Sequence, residues 1–197
     1  MRVFFALILS VPCIAGAQMP ASQSYLGVGL GNLDYELQSN GVTFFDTSAA
    51  TFRIYGGLWL SLRWAFEASW QLTETSQQPG LASDFPEIAA LGLPDTATAI
   101  TTANLEIVTL RTLRFVPYRW GSMFTGFGIS AASVDSHIDV NDVANGKSVR
   151  ANPRTSKNGL TFAVGAQWDL GRVSLRLGYE WWDDDMSTIG LGVHRRL

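Results

Sequence analysis

Four charged residues occupy segments in which every second side chain is large and apolar. Arg53 lies in "TFRIYGGLWL", Glu67 in "RWAFEASWQLT", and Arg176 and Glu180 in "RVSLRLGYEWW". A period of two puts each charge on the face opposite its apolar neighbours. If that face is enclosed, every arginine needs a carboxylate, because an isolated buried charge is costly to desolvate. Arg196, in "STIGLGVHRRL", falls on the same small and polar parity, and Arg63, Glu106 and Arg114 are further candidates for such a set. The chemistry open to these residues is either a gated proton or ion path or a structural layer of salt bridges.

A second group surrounds His137. Asp135, Ser136 and Asp139 stand beside it in "DSHID", and Asp183, Asp184 and Asp185 form an acidic run further on. Histidine with carboxylates and a serine is the equipment of a hydrolase; the same composition also describes a solvated surface loop, and that is the expectation here. The acidic run offers hard oxygen ligands to a divalent cation, without the spacing of a defined site. "NGKS", Asn145 to Ser148, has the end of a phosphate-binding loop, but Asn141 stands where the first glycine belongs, and no helical pattern follows. Asn145-Gly146 reads as a turn. Lys147, Arg150, Arg154 and Lys157 give that stretch a basic character suited to phosphate contacts.

All of these residues sit on or between alternating segments running from Ser24 to Leu197. Eight can be traced: "SYLGVGLGNLDYEL", "TFRIYGGLWL", "RWAFEASWQLT", about Thr102 to Phe115, about Trp120 to Val134, "GLTFAVGAQWDL", "RVSLRLGYEWW" and "STIGLGVHRRL". Tight connections around Ser61, at "VPYR" and at "LGR" alternate with longer ones, Gln38 to Ala50, Ser76 to Ile100 and Asp135 to Asn158; "DDDM" is the short exception. Short turns at one end and long loops at the other form the pattern of a transmembrane barrel with an apolar outside and a polar lumen. The expected fold is therefore all-β: an eight-stranded antiparallel up-and-down transmembrane barrel with short periplasmic turns and longer extracellular loops. A soluble ligand-binding β-barrel is the competing fold. It would expose the glycine-rich face without benefit. Eight strands leave a bore that side chains fill, which favours the structural reading of the charges. The fourth segment leaves its faces open. Leu105, Ile107 and Thr109 share a parity with Arg111, Leu113 and Phe115. An apolar-out placement sends Arg111 to lipid, where it would snorkel, unless a bulge switches faces mid-strand.

Composition fits this picture. Hydrophobic residues make up 47% and charged residues 16% of 197 residues, low in charge for a soluble domain. A net charge of −3 without a basic stripe argues against nucleic acid. Residues 1–17 read as a secretory signal: Arg2, the apolar "VFFALILSVPCIAG", and Ala15-Gly16-Ala17 as a small-x-small site. Cleavage before Gln18 would leave residues 18–197 as the barrel, and would remove Cys13, the single cysteine, so that no disulfide is expected. Pro12 before Cys13 argues against a lipid anchor there.

The sequence resembles the outer-membrane β-barrel family that includes the membrane domain of outer membrane protein A and its small eight-stranded relatives. The residues carrying the resemblance are "YLGVGLG", the hairpin "FRIYGGLWLSLRWAFEASW" with Glu67, "TGFGIS", and "VGAQWDLGRVSLRLGYEWW". It departs in ending on Leu197 rather than Phe, with Arg195 where an aromatic residue is common, and in having no peptidoglycan-binding segment after the barrel. The resemblance implies the outer membrane of a Gram-negative bacterium as location. It implies contact with outer-membrane lipid and lipopolysaccharide, insertion through the C-terminal strand by the barrel-insertion machinery, and a monomer. The expected role is envelope structure or surface interaction through the extracellular loops, with Arg53, Glu67, Arg176, Glu180 and Arg196 as a structural charge network plugging the lumen. No catalytic, metal or cofactor residues are assigned. The competing function is a lipid A-modifying or protease-like barrel enzyme using loop residues near His137, although the local motifs of the small lipid-modifying barrels are missing.

Overall fold

The computed structural model describes residues 23–39, 42–81, 97–119, 121–142, 147–152, 154–182 and 186–197. The signal segment with Cys13, the turn Asn145-Gly146 and the acidic run Asp183–Asp185 lie outside them. The described residues form ten strands in one antiparallel sheet: β1 (Ser24–Ser39), β2 (Val42–Trp59), β3 (Trp64–Thr73), β4 (Ser76–Leu81), β5 (Thr98–Tyr118), β6 (Gly121–Asp142), β7 (Lys147–Ala151), β8 (Arg154–Leu170), β9 (Val173–Trp182) and β10 (Met186–Arg196). β4 continues the line of β3 along β5, and β7 continues the line of β8 along β6. Eight staves result, each paired to the next. The β1–β10 ladder, from Tyr25↔Arg196 to Tyr35↔Met186, closes the ring. Closure leaves no unpaired edge in the barrel wall, the condition for a sheet to cross lipid.

The wall has two unlike faces, as the period of two dictates. Large apolar side chains point outward and stay exposed: Leu30 at 68%, Ile129 at 59%, Ile189 at 56%. A soluble barrel turns such residues inward; an outward apolar face of this extent requires lipid. Trp64 and Trp70 lie on the outer face of β3, six positions apart, or about 20 Å along a strand at ~3.4 Å per residue. The Arg114 guanidinium lies 5.8 Å from the Trp64 ring, and Trp70 Nε1 donates to Glu106 at 2.8 Å. Amphipathic aromatic rings beside charged groups at both ends of an apolar band mark the two interfaces.

β5 differs from both sequence expectations. Leu105, Ile107, Thr109, Arg111, Leu113 and Phe115 are all buried inside, and the register with β3 and β6 runs without a bulge. The parity shared with Arg111 is thus the inner one throughout, while Glu106 and Arg114 face outward at the interfaces. The long connections are also more regular than expected. Most of Gln38–Ala50 is strand, and Ser76–Ile100 and Asp135–Asn158 contribute β4, β7 and the far ends of β5, β6 and β8. Their polar residues read as loop, yet their backbone groups still pair best in a ladder. The extended arms carry an apolar cluster of their own, Ala97, Ala99, Ile138 and Val140 with Val149 packed against it. At the opposite end, β8 and β9 are joined by Gly171 and Arg172 alone; Gly171 adopts φ +76°, the left-handed conformation a two-residue hairpin demands.

Candidate functional site

The inner face is layered along the strands. Nearest the tight turns lies an aromatic and apolar layer: Tyr25, Tyr55, Leu113, Phe115 and Phe124, with Trp59 against it. Toward the long arms lies another, including Leu33, Tyr35, Leu105, Ile107, Trp182 and Met186. Between them, on β2, β3, β5 and β9, are Arg53, Glu67, Arg111, Arg176 and Glu180.

Glu67 is the hub and is wholly buried. Its Oε1 accepts from Arg111 Nη2 at 2.6 Å and Nε at 3.0 Å, and from Arg53 Nη2 at 3.3 Å. Its Oε2 accepts from Tyr25 Oη at 2.7 Å and from Arg176 Nη1. Glu180 Oε1 pairs with Arg53 Nη1, and lies 2.7 Å from Arg111 Nη1. The Arg176 guanidinium carbon also lies 5.2 Å from the centroids of Tyr55 and Phe124, and 5.4 Å and 5.7 Å from those of Tyr25 and Phe115. Four rings and a carboxylate hold that cation where water is excluded, an arrangement that strengthens cation–π attraction. Arg176 Nη2 donates to Gln167 Oε1 at 3.1 Å, Gln167 Nε2 to Asp169 Oδ1 at 3.0 Å, and Arg196 Nη2 lies 2.9 Å from the same oxygen.

Of the five residues expected in this network, four meet directly. Arg196 does not: it pairs with Asp169, half-exposed near the tight turns, and reaches the others only through Asp169 and Gln167. Glu106, Arg114 and the exposed Arg63 stand apart from it. Sequence reasoning missed Arg111, because the apolar Leu105 and Ile107 on its parity suggested lipid. The signal that could have found it is charge balance, since Glu67 and Glu180 invite more than Arg53 and Arg176.

Glycine makes room for these long side chains. Gly29↔Gly192, Gly31↔Gly190, Gly190↔Gly178 and Gly178↔Gly165 are cross-strand pairs on β1, β10, β9 and β8. A Cβ at Gly27 would lie 2.6 Å from both His194 Cβ and the Tyr55 ring. Tyr55 Oη, in turn, is 3.3 Å from His194 Nδ1.

The His137 group has a different geometry. Asp135, His137 and Asp139 share the outward parity of β6, whereas Ser136 is buried on the inward one. Serine and histidine therefore point to opposite faces of the strand. A groove of about 410 Å³ runs beside them, lined by Asp135, Ser136 and His137 together with Thr75, Thr102, Asn104 and Asn152 among others. Arg150 on β7 donates to Asp139 through Nε at 2.6 Å and Nη2 at 2.9 Å. Hydrogen bonds from Arg150, with its charge, hold the Asp139 carboxyl below the usual carboxylate range. Arg150 is thus already engaged, and Lys157 is half-buried on β8. The side chains of Lys147 and Arg154 lie outside those described.

No protein-family model matches the chain, and no curated protein matches it in sequence. Solved structures do. Ail, the attachment invasion locus protein of Yersinia pestis, aligns with TM-score 0.53 at 14% identity, over 89% of this chain and 99% of that one. The same protein in complex with the heparin analogue sucrose octasulfate aligns with TM-score 0.51, also at 14% identity and over the same shares. Neisserial surface protein A aligns with TM-score 0.50 at 11% identity, over 88% and 97%. With its closed eight-stave ring, apolar exterior and charged interior, the chain has the fold of the small outer-membrane β-barrels.

Proposed function

We propose that this protein is a non-conducting barrel of the bacterial outer membrane that presents its extended arms to the cell exterior as a surface-interaction element. The observation carrying this reading is the layered lumen. Charges joined by ion pairs lie between two apolar layers, where an eight-strand bore leaves no continuous water path. With transport set aside, the part left to act is the β4–β7 sheet, which rises past the Trp70–Glu106 interface and has its own apolar cluster. In this reading the tight turns face the periplasm and the arms face outward. The outer belt contacts lipid and lipopolysaccharide, β10 serves insertion by the barrel-insertion machinery, and the barrel acts as a monomer. An enzymatic role is not favoured, because Ser136 and His137 are consecutive residues of β6 whose side chains point to opposite faces, even though both border the same groove.

Two measurements test the proposal. Planar-bilayer recordings of folded protein are expected to show no stable large conductance; steady solute-permeable channels would overturn the non-conducting reading. Trypsin added to intact cells is expected to cut at Lys147, Arg150 or Lys157 and to spare Arg172 until the envelope is permeabilised. Cleavage at Arg172 in intact cells with the arms protected would invert the topology.

A further inference from the structure

The central layer does not balance its charge. Arg53, Arg111 and Arg176 face Glu67 and Glu180, an excess of one positive charge (3 − 2 = +1) among the described residues there. The neighbouring pair Arg196–Asp169 is neutral as a unit and does not change the sum. An uncompensated charge in a low-dielectric interior is costly. A cavity of about 40 Å³ lies against this layer, lined by Arg53, Gln71, Arg111, Arg176 and Glu180 together with glycines of β1, β9 and β10. Apart from Arg111 Nη1, which lies 2.7 Å from Glu180 Oε1, three donors of these lining residues, Arg53 Nε, Arg176 Nε and Gln71 Nε2, are buried without a hydrogen-bond partner among the described residues. Gln71 is 3% and Arg176 5% exposed. One acceptor, Glu180 Oε2, is likewise without a partner.

We propose that the cavity is a binding site for one small monovalent anion of the halide class, held by Arg53, Arg176 and Gln71. The volume exceeds the ~10–15 Å³ that a single water requires and has room for an ion of chloride size, but none for a carboxylic acid of several carbons. Donors outnumber acceptors three to one among the unpartnered groups, which selects an acceptor. The excess positive charge selects an anion over water alone. Glu180 Oε2, the one acceptor, faces a co-bound water rather than the ion. The wall of glycine on β1, β9 and β10 keeps the site open, since any side chain there would fill it.

The test uses the full folded barrel in detergent micelles. Urea unfolding is measured while chloride or bromide replaces gluconate at constant ionic strength, which holds general screening fixed. A ligand bound only by the folded state raises the folding equilibrium constant by the factor one plus concentration over dissociation constant, hence about elevenfold at tenfold saturation. The expected result is a saturable stabilisation by halide and an anomalous bromide peak in the cavity of bromide-soaked crystals. Gln71→Glu, which places a carboxylate on the cavity wall, is expected to abolish the halide dependence. Arg53→Gln, which neutralises the excess, is expected to do the same should the first variant not fold. Stability independent of halide, a halide effect retained in both variants, or water only in the cavity would each overturn the proposal. Because conductance is not part of this readout, its failure leaves the non-conducting reading standing, and the reverse.

Discussion

Arginine meets carboxylate both in the central layer and on the outer arm of this barrel, at nearly the same distance and in opposite surroundings. Arg111 Nη2 lies 2.6 Å from Glu67 Oε1 in the central layer, and Arg150 Nε lies 2.6 Å from Asp139 Oδ1 on the outer arm. The first pair is 2% and 0% exposed, the second 63% and 33%. Geometry alone would rank them equal. Solvent separates them: an exposed pair exchanges hydration for contact at little net gain, whereas a buried one cannot lose a partner without leaving a charge in a medium that barely screens it. The central layer is therefore demanding and the arm pair dispensable, although both look alike in a list of contacts.

That contrast is open to direct attack. The largest effect is expected from Glu67→Ala, which takes the shared acceptor from Arg53, Arg111, Arg176 and Tyr25. A cost of about 3–5 kcal/mol is expected, read from urea unfolding in micelles by the mobility of unheated protein on gels. A loss no larger than that of Asp139→Ala would erase the distinction. Next comes Leu177→Arg, on the lipid face opposite Leu191, at about 2–4 kcal/mol. The same assay checks it, and a tolerated arginine would mean that this face does not meet lipid. Gly27→Ala, which drives a Cβ into Tyr55 and His194, is expected to cost about 1–3 kcal/mol by overpacking; an unchanged midpoint would show that the turn-side aromatic layer is looser than it looks.

The smallest effect concerns the arm. Asp139→Asn is expected to leave the global unfolding midpoint unchanged and to raise amide exchange only in β7. Because Arg150 depresses the Asp139 pKa, the contact contributes fully above the unfolded carboxylate value of about 3.9 and is lost as pH falls through the lower folded value. The Arg150 Nε–H resonance should therefore stay fixed from neutral pH down to about 4. A transition centred at the ordinary carboxylate value of about 3.9, rather than below it, would show that the pair does not form.

Much of the barrel was legible in the chain because a period of two survives translation into three dimensions without loss. In β3, Trp64, Phe66 and Trp70 face out, and Ala65, Glu67, Ser69 and Gln71 face in, as their parity requires. β5 was not legible in this way. Its inner face changes character along its length, from Leu113 and Phe115 through Arg111 to Leu105 and Ile107, because the lumen has apolar layers on both sides of a charged one. A rule that equates apolar with outward must fail where the interior is itself apolar. The arms were missed for another reason: backbone pairing extends a ladder past the lipid boundary irrespective of side-chain pattern, so Asp139, Asn141 and Arg150 lie on strands. The charged residues could be named from parity, but not their partners, since Arg53 and Glu180 are 127 residues apart and only ring closure makes them neighbours.

That separation bears on assembly. Arg53 and Glu67 belong to the first half of the chain, Arg176 and Glu180 to the second, and the pairs between them span 127 and 109 residues. Contacts of such separation form late, because loop-closure entropy is paid before they reward it. While the β1–β10 seam is open, Glu180 and Arg176 have no carboxylate or guanidinium from the other half to meet, and the cylinder cannot shrink around them. When the seam zips from Tyr25↔Arg196 to Tyr35↔Met186, Glu180 reaches Arg53 and Arg176 reaches Glu67 in one step. A seam slipped by one residue would turn β9 and β10 over, send Arg176 and Glu180 to the lipid face and leave Glu67 with Arg53 and Arg111 alone, so these charges register whether the ring has closed in register.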